Sequence, residues 1–301
     1  MDWDKLRSFH AAAETGSLTA AGERLRISQS AVSRQIAALE NNVGVPLFQR
    51  HARGLVLTDA GIKLHHATSA MSRAASMAST IIKDAKDTPQ GDLVVTAPIA
   101  FGSTWLIERL DKFTDLHPGI HLHLYLDDRE YDLLKLEAEC AIRLWAADKA
   151  DLIQRKLMSV KTSLYASPGY LEKNGTPQQP KDLDDHRIIV YGQQISPMHV
   201  INWAQRVGRD DLTPREASLT VNNVVGMVRA AEAGLGVADL PDYMIPDDSN
   251  LVKVLPEITG PHFDLYFIYP SDLRRSNRIA AFRDFLTSEI AQFQASGGKG
   301  N

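Results

Sequence analysis

The chain opens on three short stretches in which apolar residues recur at spacings of three and four, the period of one helix face. Leu6, Phe9 and Ala13 form the first, with Asp2 and Asp4 suited to its positive N-terminus and Gly16 as its stop. Ser17 caps a second that runs to Leu25, with Leu18, Ala21 and Leu25 facing inward. Ser28 caps a third to about Val43, with Val32, Ile36 and Leu39 inward and Gly44 at its end. Short helices joined by tight turns, the last one longest, predict a helix-turn-helix. Two strand-like runs, 47–50 and 54–57, joined by His51-Ala52-Arg53, add a wing with a basic tip. Residues 1–58 therefore read as a winged helix-turn-helix.

At Asp59 the period changes. Ala60, Leu64, Ala67, Met71, Ala74, Ala78 and Ile81 alternate steps of four and three, a 3.5-residue repeat. This predicts a helix over 59–86, about 40 Å long at 1.5 Å per residue. Its narrow seam of small residues points to a dimerising coiled coil across 59–88; packing onto its own domain is the other use of such a stripe. Thr88-Pro89-Gln90-Gly91 breaks the helix. Beyond it, strand-like runs (93–96, 120–126, 140–144, 163–166, 188–191, 218–221, 236–239, 263–269) alternate with helical ones (104–116, 133–136, 224–233, 278–293). That order predicts an α/β class with mostly parallel sheets covered by helices. The tail, 296–301, reads as disordered.

Composition changes the picture in two ways. A net charge of −4 is unusual for a nucleic-acid binder, but it divides unevenly along the chain. Residues 1–88 hold 11 Lys/Arg against 8 Asp/Glu, and the remainder holds 22 against 29. The sign suits a DNA-facing module on an acidic body. Met1-Asp2-Trp3-Asp4-Lys5 does not begin a secretory signal, no apolar run can span a bilayer, and a single cysteine, Cys140, makes no intrachain disulfide. These features together predict a cytoplasmic protein without membrane contact.

The first sixty residues closely resemble the LysR-type transcriptional regulators. The resemblance is carried by Phe9, Gly16-Ser17-Leu18-Thr19-Ala20-Ala21, Leu25, Ser28 through Ile36, Leu39-Glu40, Gly44-Val45, Leu47-Phe48, Arg50, Leu57-Thr58 and Ala60-Gly61. Looser landmarks follow at 167–171, 180–183 and 233–237. Gly22 departs from the common alanine, and Glu139-Cys140-Ala141-Ile142-Arg143 from the usual Asp-aliphatic start. The resemblance implies an effector domain of two α/β subdomains, similar to periplasmic binding proteins: 89–162 with 268–295, and 163–267. It also implies a homotetramer built as a dimer of dimers, a partly palindromic double-stranded DNA operator, and contact with RNA polymerase.

A helix fits the major groove, and the first two turns of the third helix carry Gln29, Ser30, Ser33 and Arg34 opposite the Val32/Ile36 stripe. Gln35 joins that set. Ser17 and Thr19 are placed to hold phosphates, and Arg50 and Arg53 extend from the wing. Each polar residue taken alone also fits a solvated surface, and Ser28 is most simply a cap. For the effector, ligands in α/β folds sit beyond the carboxyl ends of strands. This predicts Ala100, Phe101, Ser103, Thr104, Asp127 (with Asp128), Arg143 and Trp145 from one subdomain. From the other it predicts Tyr191, Asn222, Asn223 and Asp239. Hydroxyls and amides at 100–104 suggest a small carboxylate or an amino acid as ligand.

Other chemistries have less support. There is no Gly-x-Ser-x-Gly elbow, P-loop or zinc-spaced Cys/His cluster, and Gly234-Leu235-Gly236 runs on to Asp239, so no enzyme, cofactor or metal is expected. His121 and His123 share a strand face but lack a third ligand nearby in sequence, and His65-His66 read as surface. Two alternatives to an effector-modulated regulator remain: redox sensing through Cys140, which a buried, inert thiol would exclude, and a solute-binding protein, disfavoured by the N-terminal module.

Overall fold

The structure is a computed structural model of the chain, describing residues 2–51, 54–83, 88–192, 198–209 and 213–296. It divides into two compact units, 1–82 and 83–301.

The first unit contains α1 (Trp3–Thr15), α2 (Leu18–Leu25), α3 (Gln29–Val43), β1 (Phe48–His51), β2 (Gly54–Leu57) and α4 (Asp59–Lys83). The caps lie where the sequence puts them. Ser17 and Ser28 accept from the amides of Ala20 and Ala31 at 3.4 and 3.2 Å, and Gly16 and Gly44 end their helices at φ 63° and 74°. Leu6, Phe9, Ala21, Val32, Ile36, Leu39 and Leu47 form one core, onto which Ala60 and Leu64 of α4 pack. Glu40 on α3 accepts from the amides of Leu47 and Phe48 at 2.7 and 3.2 Å, fixing where the wing begins. A Cβ on Gly22 would stand 2.8 Å from the carbonyl oxygen of Ile27, so glycine there allows α2 to lie against the turn into α3. The helix α4 is described to Lys83; residues 84–86 of the expected span lie outside the described residues, as do wing-tip residues 52–53 and tail residues 297–301.

The second unit runs β3 (Gly91–Ala97), α5 (Leu110–Leu116), β4 (Ile120–Leu126), β5 (Cys140–Arg143), β6 (Leu152–Ala166), α6 (Pro168–Asn174), β7 (Ile188–Tyr191), β8 (Ala217–Val221), α7 (Val224–Glu232), β9 (Val237–Pro241), β10 (Val252–Val254), β11 (His262–Pro270) and α8 (Asn277–Ala295). Strand order is β4-β3-β5-β11-β6-β9-β7-β8, with β10 beside β6. β3 pairs in parallel with β4 and β5, and β7 with β8 and β9. The expectation of mostly parallel sheets needs correction, because β6 and β11 join the two parallel halves through antiparallel pairings. β6 is far longer than the four residues its sequence suggested, since it serves both halves. Lys161 pairs with His262 on β11, and Thr162 with Pro241 on β9.

The helix expected over 104–116 begins earlier. A π-type turn at Phe101–Leu106 and a 3-10 turn at Ile107–Arg109 precede α5. Helical structure thus begins at Ile99, and residues 101–104 lie within it rather than in a free loop.

Candidate functional site

In the first unit, α3 turns Gln29, Ser30 and Arg34 to solvent and leaves Ser33 half-buried, while Val32, Ile36 and Leu39 are buried. One amphipathic helix therefore separates the buried core from an exposed polar face. Thr19 is exposed at the start of α2, and Ser17 is half-buried as its cap. Gln35 is turned differently from the rest of the predicted set. Its side-chain oxygen accepts from the hydroxyl of buried Ser8, so it holds α3 against α1. Arg50 lies on β1, but its side chain and the whole of Arg53 fall outside the described residues.

In the second unit, strand ends from both halves converge. Ala100, Leu144 and Trp145 share an apolar cluster with Tyr191, Val224, Met227 and Leu240. A hydrogen bond crosses the same seam: Tyr191 donates to Asp128 at 3.3 Å. Asp128 also accepts from the Ile99 amide at 3.0 Å. Burial raises the Asp128 carboxyl above the ordinary aspartate value, against the lowering effect of those two donors.

These contacts correct how the predicted residues were to act. Ser103 and Thr104 donate their hydroxyls to the carbonyls of Ile99 and Ala100, at 2.6 and 2.7 Å. The nearby Ile99 amide already holds a carboxylate, that of Asp128. Arg143 donates to the Tyr131 carbonyl and lies 3.8 Å from Glu130; burial lowers its pKa. Trp145 donates to Glu130 at 2.5 Å, and Asp127 accepts from Arg129 at 2.7 Å. Asn223 caps α7 through the Gly226 amide at 2.7 Å, beside exposed Asn222. A cavity of about 20 Å³ lies among Thr96, Asp127, Asp128, Arg143 and Trp145; another of about 690 Å³ opens beyond Arg143 and Trp145 toward Lys149. A larger one of about 810 Å³ lies between β6 and the end of α8. Its Asp242 is already held by Tyr165 and Lys253 at 3.0 and 2.8 Å.

Asp239 does not reach the seam. It sits within β9, not at its carboxyl end, and is 1% exposed. Trp203 and Thr162 lie beside it, yet among the described residues no hydrogen bond of ordinary geometry reaches either carboxyl oxygen. Burial drives its pKa well above the usual 3.8, so the folded chain keeps a proton that the unfolded chain sheds. Unfolding then releases a proton, and stability falls as pH rises from that ordinary value toward the folded one. Asp239→Asn is expected to melt higher than the unaltered chain at about pH 8, with the gap closing toward about pH 4. A constant gap across that range would reject a neutral Asp239.

Cys140 is fully buried, and burial pushes its thiol well above the usual value, so the geometry offers no reactive thiolate. Two histidine expectations also change. Parallel register sets Asp92 on β3 beside His121 and His123, at 3.7 and 3.2 Å, supplying the third group their sequence neighbourhood lacked. His65 is not simply surface, since its Nε2 lies 2.8 Å from Glu14 on α1. No helix among the described residues is long and apolar enough to cross a membrane.

Comparison with known proteins covers both units. Residues 3–62 match the family described as bacterial regulatory helix-turn-helix protein, lysR family, and residues 86–291 match the LysR substrate binding domain. An HTH-type transcriptional regulator of Xanthomonas campestris is 30% identical over 285 residues, covering 92% of this chain and 82% of that protein. An uncharacterised HTH-type regulator of Haemophilus influenzae is 28% identical, covering 89% and 94%. The structure of CrgA, a LysR-type transcriptional regulator from Neisseria meningitidis, aligns with TM-score 0.62 at 27% identity over 96% of this chain and 99% of that one.

Proposed function

The chain belongs to the LysR family of transcriptional regulators, with a helix-turn-helix and a substrate-binding domain, and from that premise we propose how its residues divide the work. The observation that carries the reading is α3, whose exposed polar run stands opposite a buried apolar stripe. Gln29, Ser30, Ser33 and Arg34 enter the major groove, Gln suited to adenine and Arg to guanine. Ser17, Thr19 and the amides opening α2 and α3 hold phosphates, and Arg50 and Arg53 add wing contacts. Gln35 supports α3 from behind. Ala67 and Met71 are exposed along α4, which supports the dimerising seam, and the assembly is a dimer of dimers that contacts RNA polymerase in the cytoplasm. Selection from random duplex DNA by the full chain tests this. A partly palindromic site should be enriched, and recovery of no preferred sequence would defeat the reading.

The effector domain divides into 89–162 with 268–295, and 163–267, and the effector binds at the seam between them. Acidic Asp127, Asp128 and Glu130 line it, while Arg143 is already engaged with Tyr131 and Glu130. Of the two effector classes named from the sequence, this favours an amino-acid-like molecule whose ammonium meets Asp128 over a simple carboxylate. A thermal-shift screen should find amines or amino acids that raise the melting temperature, by mass action on the folded state. Asp128→Asn should abolish that shift. Stabilisation by carboxylates lacking an amine, retained in Asp128→Asn, would reverse the polarity.

A further inference from the structure

Three side chains of metal-ligating type, unused in DNA reading, meet between α1 and α4. His10 and Glu14 stand four residues apart on α1, so they lie on one helix face a single turn apart. His65 comes from α4, with its Nε2 2.8 Å from Glu14 Oε1. The rings of His10 and His65 stack at 5.4 Å between centroids, their planes 24° apart. One ligand atom from each residue lies within 4.8 Å of the other two. Both histidines are half-buried, and the Glu14 side chain is 40% exposed, so the group opens to water on its carboxylate side.

We propose that His10, Glu14 and His65 form a divalent transition-metal site, of zinc type by its ligands, that ties the long helix to the first helix of the reading module. Two imidazoles and a carboxylate suit zinc, with water in the fourth tetrahedral position. Calcium and magnesium prefer all-oxygen shells. Bonds of about 2.0–2.2 Å put the ligand atoms of a tetrahedral site roughly 3.3–3.6 Å apart. The present separations, from the 2.8 Å hydrogen bond to no more than 4.8 Å, bracket that spacing. A His65–Glu14 ion pair would account for two of the groups. The stacked His10 ring is the third group of the cluster. Asp92, His121 and His123 form the other such cluster among the described residues, but His121 and Asp92 are 76% and 60% exposed and bridge only adjacent strands.

The test uses the full chain stripped with a chelator and titrated with zinc chloride. Zinc bound per chain is read by competition with a colorimetric chelator, and melting is followed alongside. The unaltered chain should take up zinc and melt higher with it. His10→Ala and Glu14→Gln should each lose one zinc per chain and the associated rise in melting. A His121→Ala/His123→Ala double variant should keep both. Glu14→Gln leaves His65 a hydrogen-bond partner, so unchanged melting without zinc separates ligation from helix packing. Absence of zinc on the unaltered chain, or an unchanged zinc response in both His10→Ala and Glu14→Gln, overturns the site.

Discussion

An Arg34→Ala chain is expected to bind its preferred DNA sequence roughly 5- to 150-fold more weakly, the equivalent of about 1–3 kcal/mol for one bidentate base contact. Arg34 is exposed on the second turn of α3, away from Val32 and Ile36, so its removal opens no cavity. Folding and self-association should therefore be unchanged. Binding to scrambled DNA should fall less, because that term comes from phosphate neutralisation spread over many residues. A mobility-shift titration against both the selected site and a scrambled duplex measures the difference. Equal losses on the two would make Arg34 a phosphate contact, and no loss on either would remove it from the interface.

Phe9→Ala reaches the same functional failure by a different physical route. Phe9 is completely buried, with its ring 5.2 Å from that of Phe48 on the wing. It therefore joins α1, α3 and the hairpin in one core. Emptying such a site costs about 3–5 kcal/mol, a large share of the roughly 5–15 kcal/mol that stabilises a domain. Hydrogen exchange should show early opening of α1–α3, while β3–β11 keep their protection, because the cores of the two units do not share residues. DNA binding should be lost with the fold, and Phe9→Leu should recover most of both. If Phe9→Ala leaves α1–α3 protection intact, the aromatic core is not what holds this unit together.

The N-terminal unit was almost wholly legible because its determinants are local. A serine cap acts on an amide three residues away, a terminal glycine on its own backbone angle, and a helix stripe repeats within two turns. Ser17, Ser28, Gly16, Gly44 and the Val32/Ile36/Leu39 stripe all appear as the sequence predicts. Gln35 and His65 were exceptions, since their partners Ser8 and Glu14 lie 27 and 51 residues away and on another helix.

The effector unit divided along the same line. Its α/β class follows from the alternation of short apolar runs, but the antiparallel pairings of β6 and β11 do not, nor does the length of β6, because its exposed first half contains Gln154, Arg155 and Lys156 and looks like loop. Tyr191, Ala100 and Trp145 share one cluster, as strand-end reasoning expects, whereas Asp239 lies mid-strand, a position that polarity does not reveal.

A helix-turn-helix on the LysR pattern, a long heptad helix and an α/β body were therefore determined by the sequence alone, since caps, periods and turns act over a few residues. Contacts between distant segments were decided only by tertiary structure. Asp128 takes the Ile99 amide from across 29 residues, Asp92 joins His121 and His123 through strand register, and His65 meets Glu14 from 51 residues away. Periodicity fixes which face a residue occupies, but only packing fixes which other face it meets.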